Sequence, residues 1–168
     1  DSFPFHIYGA QQDNSSIRIK HRSDNAFITE SDWERTAGGE AGHHAIYPKD
    51  NDIVFGGEYG GFMARFNHKT NQRQATNVWP NNPLGHGVEN MKYRFQWNYP
   101  LFFSKHNPEV LYTFSNHVHR STDLGQTWET ISPDLTTNDS SKQGPSGGPI
   151  TKDNTAVEYY CTIFAAAE

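Results

Sequence analysis

Cysteine is almost absent from this chain of 168 residues: Cys161 stands alone, so no disulfide can form within it and packing has to supply the stability. No apolar run reaches the roughly 18 residues of a membrane-spanning helix. Sustained apolar spacing of three and four, the mark of an amphipathic helix, is also missing. Positive charge is scarce, with 14 Lys and Arg against 19 Asp and Glu and a net charge of −5. Without a basic stripe there is no footprint for nucleic-acid phosphates. Neither a Gly-rich phosphate loop nor a recognisable serine nucleophile elbow occurs.

What is present is aromatic and turn-rich. Aromatic residues make up 14% of the chain, alongside 14 glycines and 9 prolines, a composition that fits an all-β protein with many loops. Cys161 lies in the apolar run 159–167 and reads as a small core residue of a strand. Asn14-Ser15-Ser16 and Asn138-Asp139-Ser140 fit the glycosylation acceptor pattern, a common tripeptide.

The most constrained segment is Ser121-Thr122-Asp123-Leu124-Gly125-Gln126-Thr127-Trp128, which fits the Asp-box S-x-D-x-G-x-T-W at every defined position. Its residue types suit a hairpin turn. The Asp123 carboxylate can accept backbone N–H groups across the tight loop, Gly125 supplies a positive φ, and Trp128 anchors the returning strand. Ser121, Asp123, Gly125, Thr127 and Trp128 are therefore read as structural.

The flanks of this box repeat. Residues 53–62 superpose on 110–119, and residues 6–15 form an earlier copy. Such spacings, about 50 residues per unit, are those of β-propeller blades built from four strands. The expected fold is all-β: a propeller fragment of three consecutive antiparallel blades plus the first strand of a fourth. Blade 1 spans about 3–37, blade 2 about 43–79, blade 3 about 100–132, and the fourth begins at about 156–168. The strands of blade 3 are expected at 101–104, 110–114, 118–121 and 127–131, and those of blade 2 at 44–47, 53–57, 62–66 and 73–78. Blade 1 lacks its innermost strand, and its Trp33 stands where Trp128 does. A closed propeller needs about 4–8 blades, so the chain reads as a piece of a longer one.

The Asp-box resembles that of the bacterial-neuraminidase-repeat (BNR) group, of WD40/YVTN-like repeat type, which includes sialidases, sortilin-type receptors, xyloglucan-cleaving glycoside hydrolases and photosystem II assembly factors. Tyr8-Gly9-Ala10-Gln11-Gln12-Asp13-Asn14, Gly38-Gly39-Glu40, Met91 through Trp97, Ser132-Pro133-Asp134-Leu135-Thr136 and Gly147 through Thr151 carry a closer likeness, to sortilin-like and glycosyl-hydrolase-like repeat proteins of secreted bacterial type. The resemblance implies a secreted, periplasmic or cell-surface location and a protein or glycan partner. It does not fix a reaction.

In such a blade the second-to-third-strand loops and the crossovers share one rim, opposite the Asp-box. Loops of this kind commonly carry function on a rigid scaffold. The rim collects Gln11, Gln12, Asp13, Asn14, Glu40, Glu58, Tyr59, Glu89, Trp97 and Glu158. The amides and carboxylates of 11–14 suit sugar hydroxyls, and Tyr59 and Trp97 suit stacking on a sugar ring. Asp13, Glu40 and Glu89 are the candidate catalytic carboxylates. A glycosidase would need two of them about 5–5.5 Å or about 6.5–9.5 Å apart. Arg94 is the only arginine on this rim, too few for a sialidase-type cluster. The histidines show no spacing for a zinc site, and no metal or other cofactor is expected. Two functions follow: a non-catalytic binding or scaffold module whose rim meets a protein, peptide or glycan, and, as the alternative, a glycoside hydrolase using two rim carboxylates. The first is preferred because spacing alone names no catalytic constellation.

Overall fold

A computed structural model describes residues 3–145, 156–157 and 159–168. The protein is all-β. Three antiparallel sheets of three, four and four strands follow one another along the chain, and no α-helix occurs among the described residues. The first sheet holds β1 (His6–Ala10), β2 (Ser16–Lys20) and β3 (Trp33–Arg35). The second holds β4 (His44–Ile46), β5 (Ile53–Glu58), β6 (Phe62–Asn67) and β7 (Gln72–Ala75). The third holds β8 (Leu101–Phe103), β9 (Leu111–Phe114), β10 (Val118–Ser121) and β11 (Glu129–Thr130).

In every sheet, hydrogen-bonded neighbours are sequence neighbours. Strand parity then decides which side chains meet between sheets. Ala45, Phe55 and Met63 of the second sheet pack against Leu101 and Leu111 of the third, with Phe103, Leu124 and Trp128 at the margin. The opposite face of the second sheet meets the first. There the Tyr8 and His44 rings lie 5.9 Å apart, the Arg18 guanidinium is 3.6 Å from Asp52, and Thr36 Oγ1 is 3.0 Å from His68 Nε2.

The Asp-box forms the β10–β11 turn. Asp123 accepts the Thr127 N–H at 2.9 Å and the Thr127 hydroxyl at 2.6 Å, while Ser121 Oγ donates to the same carboxylate at 2.8 Å. Gly125 has φ 77°, and a side chain there would press on the Phe55 ring. The β6–β7 turn, which has no Asp-box, does the same work with one residue: Asn67 Oδ1 accepts the N–H groups of Lys69 and Thr70, and Asn71 takes the left-handed conformation.

Two expectations need correction. The apolar run 159–167 holds no strand: Ile163 N–H donates to Ser115 O at the end of the third sheet, and Cys161 has φ 58°, which breaks an extended course. Cys161 is accordingly a half-buried loop residue and not a strand core. Trp128, expected to be buried between sheets, is half-buried: it packs on the margin of the core between the second and third sheets.

Candidate functional site

Loops at one end of the second and third sheets interlock into a continuous edge. The crossover from β3 to β4 is fastened by Ser16 Oγ donating to Gly39 O at 2.7 Å and by Gly39 N–H donating to Gly57 O at 3.2 Å. The crossover from β7 to β8 is fastened by the Tyr99 hydroxyl on Phe62 O at 2.6 Å and by the Phe95 ring over Gly61. Asn98 Oδ1 accepts the Gly42 N–H at 3.1 Å and so joins the two crossovers.

Arg94 is the centre of the third-sheet part of this edge. It is buried, and its guanidinium donates to Asp134, to Thr136 Oγ1 at 3.1 Å and to Cys161 O at 3.1 Å. Asn116 accepts the Arg94 N–H at 3.0 Å and donates to Asp134 at 2.9 Å. Burial alone would raise the Asp134 carboxyl; the hydrogen bonds of Thr136, Asn116 and Arg94 outweigh it and hold that carboxyl well below the usual range. Four separate stretches of chain meet at this one ion pair. Arg94 is thus committed internally and does not face a ligand. Sequence reasoning missed Asp134, although the Ser-Pro-Asp-Leu-Thr segment containing it had been singled out.

Beside this network lies a cleft of about 730 Å³, lined by Gln96 and Trp97 on one side, Thr136 and Thr137 on a second, and Tyr160, Cys161 and Phe164 on a third. Trp97 Nε1 is buried and finds no acceptor among the described residues. The cleft offers aromatic surface, hydroxyls and an amide, the mix that ligand sites use to fix orientation. Cys161 Sγ accepts the Asp139 N–H at 3.3 Å and lies 3.5 Å from Thr137 Oγ1. These hydrogen bonds, the Thr137 one foremost, hold the thiol below its usual range.

The other predicted residues are distributed unevenly. Glu58 and Glu40 are neighbours: the Glu58 carboxylate fills the space over Gly39 that a side chain would take, and burial, followed by the Glu40 charge, raises its pKa. Tyr59 feels both carboxylates. Gln11, Gln12, Asp13 and Asn14 form the exposed β1–β2 turn, in which Asn14 Nδ2 donates to Gln11 Oε1 at 3.3 Å and Asp13 has φ 59°. Glu89 is exposed in a 3-10 turn, Val88–Asn90, and its N–H donates to Gln143 O at 3.1 Å. Glu158 lies outside the described residues, as do all of residues 147–151. Among the described residues, no group of three or more His, Cys, Asp or Glu converges on a metal position, and no helix is long and apolar enough to cross a membrane.

No protein-family model matches this sequence, and no curated protein matches it.

Proposed function

We propose that the three sheets are successive blades of an Asp-box β-propeller and that the chain serves as a non-catalytic binding or scaffold module, presenting its loop edge to a protein, peptide or glycan. The unit limits given from sequence then describe blades, and a ring of about 4–8 of them needs further sheets, as a piece of a longer chain would have. The secreted, periplasmic or cell-surface location belongs to the same reading.

One observation carries the binding role: the cleft of about 730 Å³ beside Arg94, walled by the aromatic rings of Trp97, Tyr160 and Phe164. The hydroxyls of Thr136 and Thr137 supply the rest of an amphipathic lining. Titration with panels of neutral oligosaccharides and of extended peptides, read by tryptophan fluorescence, tests it. Saturable binding in the parent protein, weakened about tenfold or more by Trp97→Ala, is the expected result. Binding unaffected by that substitution would place the ligand elsewhere.

The hydrolase reading keeps one specific support. Glu58 is partly buried beside Glu40 with its pKa raised, the condition of a carboxyl that serves as general acid.

A further inference from the structure

The two contacts between sheets differ in chemistry. Between the second and third sheets the packed core residues are Ala45, Phe55, Met63, Leu101 and Leu111, none of which titrates. Between the first and second sheets lies a charged cluster. Arg18 of β2, its side chain 8% exposed, donates from Nε to Glu34 of β3 at 2.7 Å and stands 3.6 Å from Asp52 of the β4–β5 turn. His68 of the β6–β7 turn, its side chain 4% exposed, faces the same groups: its Nδ1 is 3.6 Å from Glu34, and its Nε2 is 3.0 Å from the Thr36 hydroxyl across the contact. His6 and Tyr8 of β1 approach Arg18 from the first sheet, and the His6 Nε2 is buried without a hydrogen-bond partner among the described residues. Lys69, next to His68, pairs with Asp50 and Asp52 at the rim.

This setting disfavours a charged imidazole. Burial first and the Arg18 charge second lower the pKa of His68 to about 4, against the weaker pull of Glu34 and Asp52, and the same two causes lower that of His6. A proton on His68 places a second buried cation beside Arg18. Moving the first sheet away relieves the clash, since Arg18, Glu34 and Thr36 all lie on that sheet's side of the contact. His119 has no such exit: its partners Ser115 and Thr130 lie within the third sheet, so releasing its ring means disrupting that sheet. Local opening takes the weaker contact first.

We propose that the contact between the first and second sheets is an acid-released joint: protons taken up by His68 and His6 part the two sheets and free the crossover that carries Gly39 and Glu40, while the second and third sheets stay docked. That crossover leaves the contact at Thr36. With the joint closed it is held by Ser16 Oγ on Gly39 O and by the Gly39 N–H on Gly57 O, which keeps Glu40 beside Glu58. In the open form His68 regains its ordinary value of about 6.5, so protons favour opening. Closure is complete above about pH 6.5 and is lost progressively as pH falls toward 4. The ligand assigned to the cleft has no part in this device.

Amide hydrogen exchange on the full natural chain, read as protection factors at about pH 7.5 and about pH 5, tests it. Protection of the Gly39 amide should fall by about 30-fold, the change in the opening equilibrium at pH 5 for a group that moves from about 4 to about 6.5, while protection of Phe55 falls less. His68→Gln keeps a hydrogen-bonding side chain opposite Thr36 without the titration and should remove most of that fall, whereas His119→Gln should leave it in place. Equal protection of Gly39 at both pH values would overturn the proposal. A parallel loss at Gly39 and Phe55, the mark of unfolding of the whole protein, would overturn it as well, and so would a fall of the same size in His68→Gln. The parent protein alone decides the first two outcomes, so a variant that fails to fold leaves the test intact.

Discussion

The indole N–H of Trp128 donates to the carbonyl of Thr76 at 2.9 Å, so the last turn of the third sheet is closed by the second. Local turn and inter-sheet contact are thus one device: Asp123 shapes the loop, Gly125 lets it approach Phe55, and Trp128 fastens it across the interface.

Trp128→Ala should destabilise the intact protein by about 3 kcal/mol, the low end for a large aromatic because the ring is half-buried. Trp128→Phe keeps most of the packing and loses the bond to Thr76, for about 1 kcal/mol. Chemical denaturation of both variants separates the two contributions, and equal losses would mean that the hydrogen bond, lost in both, carries the effect and the packing of the ring contributes little.

Asp123→Asn should cost about 1–2 kcal/mol and leave ligand binding unchanged, since the carboxylate is used up by Thr127 and Ser121 within its own turn. A change in affinity at constant stability would contradict the structural assignment.

Turn chemistry and strand positions were legible because they are written locally: Asp-box, alternating apolar strands and repeat spacing placed eight of the eleven strands close to where they stand, and the first sheet's lack of a fourth strand among the described residues was visible too. The centre of the loop edge was not legible. Arg94, Asn116, Asp134 and Cys161 come from four distant stretches, and only the folded crossovers bring them together. Cys161 was misread for a related reason: its apolar neighbours resemble a strand, but its left-handed φ and its bond from Asp139 depend on tertiary contacts.

Asp134→Ala should be among the most damaging substitutions at the loop edge, at about 3–5 kcal/mol, because it leaves the Arg94 guanidinium buried without its counter-charge. The double variant Arg94→Met with Asp134→Leu should recover part of the loss. Thermal unfolding of the single and double variants measures the difference, and a single variant as stable as its parent would remove the keystone role.

Stability should fall on mild acidification, before carboxylates begin to titrate. Burial, with the Arg18 charge next, lowers the pKa of His68 to about 4, and burial with His117 lowers that of His119 to about 3. Both rings are neutral in the folded state, whereas the unfolded chain takes up protons near pH 6.5, its ordinary histidine value. The unfolded state therefore binds more protons below that point. The stability is complete above about pH 6.5 and is lost progressively as pH falls toward 4 and then 3. Melting temperatures between pH 7.5 and 5 should decline steadily, and less steeply in His119→Gln. A flat profile over that interval would mean that the rings are protonated in the folded protein.

Glu58 decides between the two functional readings. Its carboxylate is partly buried over Gly39, next to Glu40, and both burial and that neighbouring charge favour the protonated form. In a hydrolase, Glu58→Gln would remove a proton donor from the reacting bond and lower turnover by roughly 10²–10⁴-fold, the usual contribution of a positioned acid or base. In a binding module the same substitution removes a repulsion with Glu40 and keeps a hydrogen-bonding side chain of nearly the same shape. Stability should then be unchanged or slightly improved, and affinity should shift only modestly. The measurement pairs a melting curve with a screen of chromogenic glycosides on the parent protein and on Glu58→Gln. We expect no turnover in either and a melting temperature at or above the parent's. Glycoside cleavage that disappears with Glu58→Gln would reverse the assignment, and it would make Glu40, the carboxylate beside it, the next residue to replace.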